Sequence, residues 1–273
     1  MRTINTDTIK ETIYNLCLKA NFELDTDILN EFHSHKHNEV ISDLIKNAEI
    51  AKADQVPICQ DTGFVLVFLD IGQDLHIEGD DLSDAVNSAV AKAYTDKYLR
   101  KSVLNHPLSR ENTNANTPAI IYTNMVPGDK LKINVVPKGG GSENKSALKM
   151  LTPADGKDGI VDFVMDTVKK AGASACPPYI IGVGIGGTFD YVGFLAKKAL
   201  LRKLGRANDD KDTAFLEKDL LEKINALNIG PSGFGGNPTA LAVHIETYPC
   251  HIASQPVAVN IGCHANRHAE AVI

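Results

Sequence analysis

No apolar run in this chain approaches the roughly 20 residues that a membrane-crossing helix requires. The longest, such as residues 64–69, are strand-sized. The N-terminal stretch MRTINTDTIKE has neither the apolar core nor the small-residue cleavage site of a signal peptide. Positive charge is also short: 28 Lys and Arg against 34 Asp and Glu leave a net charge of −6, which argues against nucleic-acid binding. No repeat, low-complexity tract or linker interrupts the 273 residues. Cysteine is scarce, five in all, and an odd number without an export signal points to a reducing cytoplasm. Such thiols serve packing or metal chemistry. What is present is ordinary globular usage, 43% hydrophobic and 23% charged, which excludes a disordered chain, a collagen-like fibre and a coiled coil. A chain this long buries roughly 75% of its extended surface and needs no disulfide or metal merely to fold.

The hydrophobic period changes along the chain. Ile9, Ile13, Leu16, Cys17 and Ala20 recur at helical spacing, residues 27–32 form a second helix behind an Asp27 cap, and residues 40–53 repeat the pattern. Residues 64–71 then form a continuous β-branched run between Gly63 and Gly72, which suits a buried strand. A helix over 80–101 and strands over 119–124 and 130–137 follow, the strands joined by a Val-Pro-Gly-Asp turn. A helix-like stretch over 144–151, helices over 159–171, 189–204 and 213–227, and strands over 179–185, 239–247 and 256–261 complete the reading. The fold class is therefore α/β, a mixed sheet with helices and a helical N-terminal portion. Residues 1–273 read as one domain, with 1–55 as a helical lobe and 56–273 as the α/β part that carries the site residues.

Three cysteines sit in loops bounded by glycine or proline: Cys59 in PICQDTG, Cys176 in ACPP and Cys263 in GCHAN. Cysteine before proline occurs at iron–sulfur ligands, but free cysteine is also among the most buried residue types. Separations of 117 and 87 residues match neither a zinc ribbon nor a ferredoxin, so spacing leaves both readings open. Cys17 lies on an apolar helical stripe and reads as core. Cys250 follows Tyr248-Pro249 at a strand end, a structural position that could also supply a fourth ligand.

The run Gly139-Gly140-Gly141-Ser142-Glu143-Asn144-Lys145 joins flexible backbone, free amides and positive charge. It is neither a P-loop nor a dinucleotide fingerprint. A second glycine run, residues 182–187, lacks the sixth-position glycine of that fingerprint. A tight packing turn and a carboxylate or phosphate cradle are the two readings. Arg100 and Arg110 offer planar guanidinium forks for carboxylates. His33, His35 and His37 read as a solvated face, whereas His251, His264 and His268 crowd the sequence near Cys263, where acid/base or substrate-orienting work is open to them.

Together PICQDTG, KGGGSENKS, ACPPYIIGVGIGGTFD and GPSGFGGNPTALAVHIETYPCHIASQPVAVNIGCHANRH resemble the alpha subunit of the class I iron–sulfur fumarate hydratases and L(+)-tartrate dehydratases. The likeness runs from about residue 40 to the C-terminus, with the motifs in order. It implies a 4Fe–4S cluster held by Cys59, Cys176 and Cys263, leaving one iron open as a Lewis acid for reversible dehydration of S-malate to fumarate. Cys17 and Cys250 fall outside the ligand motifs. The resemblance also implies substrate contacts from Gln60, Asp61, Arg100, Gly141, Asn144, Lys145 and His251, with Arg110 as the alternative to Arg100. It places the catalytic base in a separate beta chain, so that a cytoplasmic heterotetramer of two alpha and two beta chains acts on a C4 dicarboxylate. L(+)-tartrate is the alternative substrate. The reading from another class is an iron–sulfur redox sensor or electron carrier.

Overall fold

Helical structure begins at Asn5, whose side chain accepts from the Asp7 amide at 2.8 Å and supplies the N-cap. The structure, a computed structural model, describes residues 2–273. Its elements in order are β1 (Arg2–Asn5), α1 (Thr6–Phe22), α2 (Thr26–Ser34), α3 (Glu39–Asp54), β2 (Phe64–Gly72), β3 (Leu75–Glu78) and α4 (Leu82–Asp96). Then come β4 (Ile120–Val126), β5 (Leu131–Lys138), α5 (Gly140–Glu143), β6 (Ala147–Leu151), α6 (Gly156–Ala171) and β7 (Tyr179–Gly186). The chain closes with α7 (Phe189–Ala199), α8 (Lys211–Asn225), β8 (Ala240–Tyr248), β9 (Gln255–Gly262) and β10 (Ala269–Val272).

Two compact units result. The first comprises residues up to Asp25, Lys46–Gly140 and Arg267–Ile273; the second comprises Thr26–Ile45 and Gly141–Asn266. In the first, the strand order is β10-β5-β2-β4, with β2 parallel to β4 and antiparallel to β5. Alternate residues Val65, Val67 and Leu69 of β2 meet Leu131, Ile133 and Val135 of β5 and the apolar stripes of α1 and α4. Cys17 belongs to this core, as the stripe predicts.

The second unit is a sheet ordered β6-β9-β7-β8 with helices on both faces. Ile181, Val183, Val259 and Ile261 pack against α6 and α8. On the other face α7 sits almost on the backbone of β7. A Cβ at Gly182 would lie 2.1 Å from the Ala196 carbonyl oxygen, and one at Gly184 would lie 2.2 Å from that of Val192. The glycine run 182–187 is therefore in part a seat for a helix, the packing reading of the two. Beyond α7, Arg202 is a buried ionic hub: it donates to Glu217 at 2.6 Å, to Glu246 at 3.1 Å and to the Ile245 carbonyl at 2.6 Å. His244 of β8 donates to the Ala199 carbonyl at the end of α7, and its Nδ1 has no partner.

The mixed α/β class and the helical N-terminal portion stand. Several boundaries differ. Residues 147–151, read as helix-like, are strand β6, because they pair with β9 residue for residue. The helix over 80–101 stops at Asp96, before Tyr98 with its φ of 53°. Strands β1, β3 and β10 are too short for a period to reveal them.

Two outcomes test these contacts. Gly182→Ala should destabilise the protein by roughly 3 kcal/mol, because overpacking against backbone has no rotamer escape. Gly193→Ala in α7, where a Cβ meets nothing within 4 Å, should instead stabilise it by about 0.5–1 kcal/mol. Denaturant titration of both variants reads the contrast. Burial, followed by the Arg202 charge, pushes the His244 pKa from 6.5 down to about 4. The unfolded state then binds the extra proton, so stability should be full above about pH 6.5 and fall by about 3 kcal/mol as the pH drops to 4. Unfolding free energies across that range should flatten in His244→Gln.

Candidate functional site

Glycine and proline keep residues 57–63 out of regular structure, so their polar backbone must find partners one by one. In the first unit the Ile58 amide donates to the Asn21 carbonyl and Asn47 donates to the Ile58 carbonyl, each at 2.9 Å, fixing the backbone just before Cys59. Asp61 is fully engaged. Its Oδ1 accepts from the Gly63 amide at 3.1 Å, its Oδ2 from the Gly140 amide at 2.8 Å, and its carbonyl from Arg267 at 2.7 Å. Gly63 is required: its φ is +80°, and a Cβ would stand 2.7 Å from the Lys138 amide nitrogen. Thr62 donates to the Arg100 carbonyl at 2.8 Å, which places Arg100, with an exposed side chain, beside the Asp61 turn. Arg110 sits in a separate turn closed by its own amide on the His106 carbonyl at 2.9 Å. The first unit thus brings Asp61, Arg100 and Gly140 together, with Cys59 and Gln60 on the same turn.

Arg267 was not foreseen. It is 3% exposed, its Nε has no partner, and besides Asp61 it reaches only the Asn21 side chain, at 3.4 Å. A single arginine in a C-terminal loop reads as a surface residue, and no pattern in NRH distinguishes it.

In the second unit Cys176 ends a short 3-10 turn in the left-handed region, with φ 54°, and its side chain is exposed. The His264 amide donates to the Cys176 carbonyl at 3.0 Å, so the loops of Cys176 and Cys263 adjoin. Asn266 donates to the Leu200 carbonyl at 3.0 Å and pins the far side of the Cys263 loop. Cys263 itself is half-buried. Among the described residues, no group of three or more His, Cys, Asp or Glu side chains is gathered as a ready metal site. The donor set nonetheless suits an iron–sulfur group: soft thiols, outside the core, on irregular loops.

The Gly141–Lys145 segment of the second unit leads to β6. Asn144 and Lys145 line an open cleft of about 550 Å³ that runs along β6 and α6, shared with Lys149, Asp162, Asp166 and Lys170. His251 lies elsewhere in that unit. It is exposed, accepts from the Ala253 amide at 3.1 Å through Nδ1, and lines a separate cavity of about 270 Å³ with Tyr191, Tyr248 and Cys250. Of the other histidines, His35 meets Glu31 at 3.2 Å and His268 meets Asp25 at 3.0 Å.

The two remaining cysteines differ from each other in exposure. Burial pushes the Cys17 thiol up to about 12. Cys250 is exposed, with its sulfur 3.3 Å from the Ser254 carbonyl oxygen.

Comparison with known proteins matches residues 10–272 to the family model described as Fumarate hydratase (Fumerase). The chain is 45% identical over 96% of each chain to the "Putative L(+)-tartrate dehydratase subunit alpha" of Methanocaldococcus jannaschii. It is 34% identical to the "L(+)-tartrate dehydratase subunit alpha" of Escherichia coli strain UTI89, over 77% of this chain and 70% of that one. The K12 counterpart is 32% identical over 80% and 72%.

Thiol labelling tests the exposure pattern. In the metal-free native chain DTNB should modify Cys176 and Cys250 rapidly, Cys59 and Cys263 more slowly, and Cys17 only after unfolding. Mass mapping of the labelled peptides gives the order.

Proposed function

The chain belongs to the fumarate hydratase family of hydro-lyases, and we propose that it is the alpha subunit that binds the cluster and the dicarboxylate in reversible dehydration of S-malate to fumarate. Cys59, Cys176 and Cys263 would hold a 4Fe–4S cluster. Bound there with one iron free of protein thiolate, the cluster supplies a Lewis acid for the substrate hydroxyl. The remaining chemistry attributed to this chain is binding and orientation. Arg100 offers a planar fork for one carboxylate, a geometry lysine cannot match. Lys145 brings a point charge to the cleft, and Asn144 beside it can donate from its amide. Gln60 projects from the turn held by Asp61, Thr62 and Arg267. Asp61 itself serves that turn through two backbone amides, so its contribution is to fix Gln60, Arg100 and Gly140 in place. His251 is proposed as a substrate contact from its separate, exposed loop.

Neutralising the carboxylate next to C3 makes the C3 proton more acidic, and this is the part of catalysis that cationic side chains of this chain can perform. The proton acceptor is assigned to a beta subunit, in a heterotetramer of two chains of each kind. The observation that carries the reading is the Asn144–Lys145 pair, whose side chains line a cleft and have no partner among the described residues, on a segment that leads directly from the glycine run. The names of the relatives favour a second substrate: each cited relative is called an L(+)-tartrate dehydratase subunit alpha. On that reading the same side chains bind L(+)-tartrate.

Reconstitution with iron and sulfide should protect Cys59, Cys176 and Cys263 from alkylation and leave Cys250 reactive. The loaded chain alone should show little or no hydratase activity, and adding the beta chain should produce it, with malate against L(+)-tartrate kinetics naming the substrate. Full activity from the loaded chain alone would refute the division of labour. Air should inactivate the pair, and ferrous iron with reductant should restore it; a redox carrier would show no dehydration at all.

A further inference from the structure

Within SENKS, Asn144, Lys145 and Ser146 line the cleft, and Glu143 and Ser146 bond back to β9. Glu143 uses both carboxylate oxygens: Oε1 pairs with Lys197 of α7, and Oε2 accepts from Asn260 Nδ2 at 3.0 Å. Ser146 exhausts its hydroxyl. Its oxygen accepts from Asn260 Nδ2 at 3.0 Å and from the Ile261 amide at 3.1 Å, and its proton points to the Ser142 carbonyl at 3.4 Å. A hydroxyl offers one donor and two acceptor sites, and all three are used. The Asn260 amide has one sensible orientation, because a flip would set its oxygen against the Glu143 carboxylate. Asn260 is 5% exposed and lies on β9, which is flanked by β6 and β7 and ends at Gly262, next to Cys263.

We propose that Asn260, Ser146 and Glu143 form a staple that registers the Asn144–Lys145 pair against the strand leading to Cys263, making them positioning residues for dicarboxylate binding. The strand is the fixed side, since ladders hold β9 on both edges. The loop is the yielding side: Lys145 and Ser146 close it only through single backbone bonds, at 3.2 and 3.0 Å, to Ser142 and Glu143. Release of the staple therefore loosens the loop and leaves Cys263 in place. The consequence for substrate rests on the reading of Asn144 and Lys145 as its contacts; the staple itself does not.

Ser146→Ala removes all three hydroxyl bonds without adding bulk, and Asn260→Ala removes the other end. Hydrogen–deuterium exchange on the full-length metal-free chain should show the Lys145 and Ser146 amides exchanging about tenfold faster in each variant, with the β9 amides unchanged except that of Ile261, whose acceptor Ser146→Ala removes. Iron and sulfide bound per chain after reconstitution should match the parent. In the active assembly with the beta chain, KM for the dicarboxylate should rise about tenfold while kcat holds within about twofold, the signature of lost uniform binding. Unchanged exchange at Lys145 and Ser146, or exchange that rises equally along β9, overturns the staple. Faster loop exchange with an unchanged KM upholds the staple and overturns the assignment of Asn144 and Lys145 to substrate.

Discussion

Irregular backbone carries all three candidate cluster cysteines of this protein, and irregular backbone has no ladder to satisfy its own amides and carbonyls. The structure meets that constraint with single polar side chains placed beneath each loop. Asp61 receives two amides, Arg267 caps the Asp61 carbonyl, Asn266 holds the Leu200 carbonyl, and Ser146 answers the Ile261 amide. Each such bond contributes only about 0.5–1.5 kcal/mol, but leaving its buried partner unmet would cost about 1–3. The loops are thus ordered less by their own propensity than by the expense of disorder around them.

The two units give this scheme different backing. In the first, the Cys59 turn rests between the α1 backbone and the start of β2, with Gly63 admitting the chain at a place no side chain fits. In the second, the Cys176 and Cys263 loops lean on one another where the amide and the ring of His264 both meet the Cys176 carbonyl. The soft thiols stand outside both cores, while Cys17 lies within one, where burial raises its pKa and keeps it inert.

Much of this was legible in the residues. The stripe through Ile9, Ile13 and Cys17 and the β-branched run into β2 follow from local chemistry, and each stands in the structure. The segment 147–151 went the other way because pairing with β9, a partner more than a hundred residues distant, decides it. At the site, glycine and proline marked the thiol loops, and SENK marked a segment that lines a cleft. Spacing alone could not say what the cysteines do; the ordered set of motifs supplied that expectation. Arg267, Asn260 and Ser146 stayed hidden, since a lone arginine, an asparagine inside a strand and a serine after lysine carry no pattern until the fold brings their partners to them. Asp61 shows a duty its motif did not announce: its carboxylate braces the turn through two backbone amides.

The division within SENKS also bears on how such a chain can diversify. Glu143 and Ser146 brace the loop from either side of Asn144 and Lys145, so drift at the inner pair leaves the brace untouched. With positions 144 and 145 as the proposed substrate contacts, preference can then wander by exchange there without eroding the fold that carries it. An enzyme lineage built this way can divide into specialists on related hydroxy acids while its scaffold stays recognisably the same.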